Sequence, residues 1–144
     1  MHRSNRNALT IVVLALLVTV VPDASWASAT APAVPPRVDL TIGSRAKILG
    51  GGATAKIPIR GICTSGADVI EAFVYITQDG FTSQWGFIPL VCDDVAHWWL
   101  VRVPALDQPF HPGTASASAY AQVMDPNTGE TGEDSPFRDI TMFA

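Results

Sequence analysis

Apolar and polar residues alternate with a period of two along most of the chain, and no stretch of about ten residues sustains a helical period. In TAKIPIRGIC (54–63), Ala55, Ile57, Ile59 and Cys63 share the parity of Ala53, while Lys56, Pro58 and Arg60 take the other, as in a half-buried strand. Pro58 offers no N–H to a ladder, so this strand is expected at a sheet edge or locally irregular there. VIEAFVYITQ (69–78) sets Ile70, Ala72, Val74 and Ile76 on one side and Phe73 and Tyr75 on the other. Both faces carry apolar groups, which predicts a central strand.

A QDGFT turn leads to SQWGFIPLVC (83–92), a less regular strand interrupted by Gly86 and Pro89. HWWLVRV (97–103) places Trp99, Val101 and Val103 on one face and Trp98, Leu100 and Arg102 on the other. In TASASAYAQVM (114–124), Ala115, Ala117, Ala119, Ala121 and Val123 alternate with Ser116, Ser118, Tyr120 and Gln122. A strand presenting little but methyl groups inward needs large side chains opposite it, and Trp99, Phe73 and Tyr75 are the expected fillers. Val38–Ile42 and Arg45–Leu49 open the series, GGG follows, and FRDITMF (137–143) closes it after the polar hairpin loop DPNTGETGEDSP (125–136). Seven to eight short strands spaced about 8 to 12 residues apart predict an all-β fold, an antiparallel β-sandwich.

The N-terminus breaks this pattern. Arg3 and Arg6 precede the apolar run Ala8 to Val21, Pro22 ends it, and Ala27, Ser28 and Ala29 supply a small-x-small cleavage site. A run this short falls below the roughly 20 residues of a membrane-spanning helix and predicts a secretory signal peptide over residues 1–29. TAPAVPPR (30–37) reads as a Pro/Ala-rich disordered leader, and the β-sandwich domain is expected over 38–144. With no second apolar stretch and no cysteine placed to accept a lipid, the mature form is expected to be released to the extracellular medium, with no membrane among its partners.

Charge narrows the partners. Beyond residue 29 there remain seven Lys and Arg against twelve Asp and Glu, a net −5. The basic residues (Arg37, Arg45, Lys47, Lys56, Arg60, Arg102 and Arg138) are scattered along the sequence, so no cationic stripe is expected and nucleic acid is not a predicted partner.

Cys63 and Cys92 are the two cysteines, both at strand ends, and in an exported chain they predict one disulfide. Asp93 and Asp94 beside Cys92 would raise a thiol pKa, the opposite of what a reactive cysteine needs. With Cys92 in a disulfide, Asp93, Asp94 and His97 alone are too few for zinc, and CDDVAHW reads as a strand end, an acidic turn and a new strand whose tryptophans enter or border the core. Asp125, Asn127 and Gly129 mimic the start of a calcium loop, but Pro136 stands where the twelfth-position Glu is required. No G-x-S-x-G elbow and no phosphate-cradling G-K-[ST] occurs. No catalytic residue, metal or cofactor is predicted.

The succession IPIRGICTSG, VYITQ, C…HWWLVRV and FHPGTASASAYAQV resembles a group of small secreted actinobacterial proteins that have an immunoglobulin-like β-sandwich, one disulfide and no assigned activity. The similarity runs from about Val38 to Phe143 through Cys63, Gln78, Cys92, Trp98 or Trp99, Phe110, Pro112 and Gly113, all framework positions. It implies an immunoglobulin-like fold and an extracellular address. The chain is also similar to actinobacterial apoproteins that carry enediyne chromophores, though it lacks their second disulfide. Antibody-type domains space their cysteines about twice as far apart, with a tryptophan on the strand after the first.

The leading functional expectation is a non-catalytic exported module acting by contact with an extracellular protein, the cell wall or another ligand. A second is a small-ligand binder, of carbohydrate first, with Trp85 and Trp98 as a stacking platform, although packing in the core or on a sheet face is the more expected place for both rings. A third is an exported hydrolase using Asp107 with His111, or Asp94 with His97.

Overall fold

The computed structural model describes residues 31–144; the expected signal peptide and its cleavage site lie outside them. Ten strands follow in order: β1 (Val38–Ile42), β2 (Arg45–Leu49), β3 (Thr54–Cys63), β4 (Asp68–Gln78), β5 (Phe81–Thr82), β6 (Gly86–Phe87), β7 (His97–Pro104), β8 (Gly113–Met124), β9 (Thr131–Asp134) and β10 (Phe137–Phe143). A single turn of 3₁₀-helix, Gly50–Gly52, links β2 to β3, and the described residues hold no helix long and apolar enough to cross a membrane. Ahead of β1, Pro36 is buried and the Arg37 N–H donates to the Thr64 hydroxyl, which ties the start of the body to the β3–β4 turn.

Two hydrogen-bonded groups make up the sheet. β3 carries β1 and β2 on one edge and β7 on the other; β8 carries β9 and β10 on one edge and β4 on the other. β5 and β6 pair with β4. The parallel β2–β10 pairing joins the groups, and every other pairing is antiparallel.

Pro58 is neither at an edge nor at a break in the β3–β7 register, which runs through it without a shift. Its carbonyl accepts from the Gly43 N–H at 2.7 Å, where β1 gives way to β2, so its missing N–H lies on that side and no rung to β7 is lost. Ala55, Ile57, Ile59 and Cys63 are buried as the alternation predicts.

The seven to eight expected strands become ten for local reasons. Asp79-Gly80, both at positive φ, closes a two-residue hairpin that makes Phe81–Thr82 a strand instead of part of a turn. The 125–136 loop is tighter than expected, with Thr131–Asp134 pairing back on β8. The expected strand 83–92 contracts to Gly86–Phe87, although Ile88 and Leu90 remain buried, because Pro89 has no N–H with which to continue the ladder.

Two orientations are corrected. A β-bulge between Val69 and Glu71 turns Ile70 outward, leaving it exposed while Val69 packs against the core. Phe73 and Tyr75 do not fill the space facing the alanines of β8. One buried cluster unites Ala117, Ala119, Ala121 and Val123 with Ile57, Ile59, Val74, Ile76, Val101 and Phe110, so branched aliphatic side chains take up that volume. Trp99 borders the cluster, its ring lying over Gly61, where any Cβ would come within 2.9 Å of Cζ3.

Cys63 and Cys92 are joined, with Cα atoms 4.4 Å apart. The Asp94 N–H donates to the Cys63 carbonyl and the Gly66 N–H to the Cys92 carbonyl, so backbone bonds flank the bridge. The expected disulfide is present.

Candidate functional site

Because inward positions of β4 and β8 form the core, alternation sends Phe73 and Tyr75 of β4 and Tyr120 of β8 to the solvent side. Registers align them across the strands: Phe87 opposes Phe73, and Phe73 opposes Tyr120. The result is an aromatic row over β6, β4 and β8. Trp85, just ahead of β6, lies on Phe73 with ring centroids 4.9 Å apart and planes 17° from parallel. Phe73 and Tyr120 follow at 5.6 Å.

Trp85 keeps 70 % of its surface accessible and Phe87 73 %. Ordinary packing would hide such rings; here Trp85 has one face on Phe73 and most of its surface in water, and Phe87 stands opposite Phe73 largely in water.

A polar row runs alongside. Glu71 opposes Gln122, which opposes Glu133, two residues along each strand from the aromatic row and so about 7 Å away. The Tyr120 hydroxyl donates to Glu133 Oε2 at 3.1 Å. Desolvation, then this bond to a carboxylate, holds the Tyr120 phenol above its ordinary pKa, so it stays a donor at neutral pH. Flat aromatic surface beside carboxylate, amide and hydroxyl groups can stack on a ring bearing C–H groups and bond its substituents, and Glu71 and Glu133 favour neutral or cationic substituents over anionic ones.

Trp85 and Trp98 do not form one platform. Trp98, on β7, opposes Arg60 of β3 and faces solvent from the other strand group, 62 % exposed. The hydrolase pairings are not assembled either. His111 Nε2 meets Asp79 Oδ2 at 2.6 Å rather than Asp107, and His97 Nε2 meets Asp93 Oδ2 at 2.8 Å rather than Asp94, whose carboxylate accepts the Ser65 N–H. Among the described residues no hydroxyl is bonded to either imidazole.

The Asp93 carboxyl is held below its ordinary pKa, chiefly by the His97 hydrogen bond and then by the Val95 N–H. His111 is held above its own, chiefly by the Pro112 carbonyl and then by Asp79. Asp79 with His111 lies on exposed loops, and Asp93 with His97 lies half-exposed at the entry to β7. Asp125 accepts the Asn127 N–H at 2.8 Å, which makes the calcium-like segment a self-satisfied turn. No group of three or more His, Cys, Asp and Glu among the described residues is arranged to hold a metal ion.

What the sequence did not show was the aromatic row. Its signal was the shared parity of Phe73, Tyr75 and Tyr120 with exposed polar neighbours, but Trp85 and Phe87 lie in a segment whose register the sequence leaves open.

No protein-family model, no curated protein and no solved structure matches this chain.

Proposed function

We propose that residues 38–144 form an exported, non-catalytic immunoglobulin-like β-sandwich of the kind found in small secreted actinobacterial proteins, and that it binds neutral or amino-bearing cell-wall glycans on the face made by Trp85, Phe87, Phe73 and Tyr120. The observation that carries this reading is the Trp85 indole stacked on Phe73 with most of its surface in water.

For the layered fold, the support is that β3 and β7 share no ladder with β4 or β8, yet the inward side chains of all four join one cluster. Gly86 sits against Val101 and Val103 of β7 across that space. For export, the support is the apolar N-terminal run with its small-residue end, and a disulfide that fits an oxidising compartment.

Co-sedimentation with insoluble cell-wall polysaccharide tests the reading. The protein is expected in the pellet, and Trp85→Ala is expected to leave it in the supernatant while Trp98→Ala is retained. Equal retention of both variants would discard the aromatic face as the binding site.

A further inference from the structure

Most of the basic residues scattered along the sequence gather in space. Alternation puts Arg45 and Lys47 of β2, Lys56 and Arg60 of β3, and Arg102 of β7 on the solvent side of their strands, so five of the seven share one face. The expectation that the chain has no cationic stripe is corrected by the registers: Lys47 opposes Lys56, and Lys56 opposes Arg102. Three cations therefore stand in a row across three strands, about 4.8 Å from one strand to the next. Like charges set directly opposite weaken a sheet. The two ion pairs among the described residues are His97 with Asp93 and His111 with Asp79, so none of the five has an acidic partner.

The same face exposes large apolar groups. Trp98 opposes Arg60, and Leu100 opposes Pro58 with 66 % of its surface in water. Leu100, Pro58 and Phe143 line an open depression of about 340 Å³ together with Arg45, Lys47 and Lys56. The Arg45 guanidinium rests over the Phe143 ring at 4.5 Å.

We propose that this face of β2, β3 and β7 docks on an anionic phospholipid bilayer. A soluble polyanion would satisfy the cations and leave Leu100 in water, and a stacked base or sugar would use Trp98 but not Leu100. A bilayer interface takes all of them: phosphates at the Lys and Arg heads, the indole at headgroup depth, and Leu100 toward the acyl boundary. The flat face of a sheet suits a planar surface, and the carboxylates Glu71 and Glu133 on the other strand group would be turned away from it. Docking is peripheral and independent of the glycan reading, since the two faces share no residue.

The test is sedimentation of the exported chain with vesicles of phosphatidylcholine alone or mixed with phosphatidylglycerol. Binding is expected only to the anionic vesicles, falling as salt rises, with a blue shift of tryptophan emission and quenching by brominated acyl chains. Each basic residue near such a surface contributes about fivefold to partitioning, so the triple variant Lys47→Gln/Lys56→Gln/Arg102→Gln should lose about a hundredfold. That variant should melt no lower than the parent, because it relieves like-charge rungs, which separates lost docking from lost folding. Leu100→Ser should weaken partitioning while keeping its salt dependence. Equal binding to neutral vesicles would overturn the proposal, as would capture of polyphosphate or DNA with no vesicle binding, or salt-sensitive self-association in its place.

Discussion

The buried side-chain amide of Gln78, at the end of β4, grips the backbone of His111 from both sides: its Nε2 donates to the His111 carbonyl at 2.8 Å and its Oε1 accepts the His111 N–H at 3.2 Å. This staple fixes the 105–112 connection against the β4–β5 hairpin. Gln78→Ala leaves both backbone groups without that partner in a partly buried place, and should lower stability by about 1 to 2 kcal/mol in urea titration. A loss under 0.5 kcal/mol would mean that water takes over both bonds.

The Cys63–Cys92 bridge closes a loop with a sequence separation of 29. In the chain-entropy account this contributes about 3 to 4 kcal/mol, a large share of the stability of a domain this size. Cys63→Ser/Cys92→Ser should therefore shift the denaturation midpoint strongly downward, and a reductant should do the same to the parent. An unchanged midpoint on reduction would show that the neighbouring backbone bonds suffice alone.

Gly86 reports on packing between strand groups. A Cβ there would lie 2.5 Å from the Arg102 carbonyl oxygen and 2.9 Å from Val103 Cγ2. Gly86→Ala should cost about 1 to 3 kcal/mol by overpacking, whereas Gly129→Ala, which meets open space in a turn, is disfavoured only by its backbone conformation. Full tolerance at Gly86 would place β6 farther from β7 than described.

His111 donates from both ring nitrogens when protonated, Nδ1 to the Pro112 carbonyl at 3.1 Å and Nε2 to Asp79. The folded chain thus favours imidazolium, and the raised pKa has a definite sign. Its stabilising contribution is fully present below the unfolded value near 6.5 and is lost as pH rises through the raised folded value. NMR titration of the His111 ring should give a midpoint above the ordinary one, moving down in Asp79→Asn. A midpoint at or below the ordinary value would contradict the geometry. At this exposed site the effect on global stability is small.

Strand existence was legible wherever the period of two was long, as in 54–63 and 114–124, because burial of one face leaves that mark on sequence directly. Ile70 defied it because a bulge adds one residue and flips the side chain, a local event with no compositional cost. The pairing of His111 with Asp79 rather than Asp107 was not readable, since an acid four residues away loses to one brought close by a hairpin. The cationic face was legible in principle: Lys56, Arg60 and Arg102 share the outward parity already noted for their strands. Counting charges along the chain hides it, because a sheet turns sequence distance into cross-strand contact. Stacking of Trp85 on Phe73 depends on a two-residue strand, too short for any pattern to reveal.

The most direct test of the glycan face follows the indole N–H signals of the chain from residue 30 onward by ¹⁵N NMR during titration with a soluble neutral or amino-bearing cell-wall oligosaccharide. The Trp85 signal should shift and saturate while those of Trp98 and Trp99 stay in place, and Trp85→Ala should abolish the accompanying shifts of the Glu71, Gln122 and Glu133 amides. A Trp85 signal that stays fixed at millimolar oligosaccharide, or shifts that persist in Trp85→Ala, would contradict glycan binding on this face.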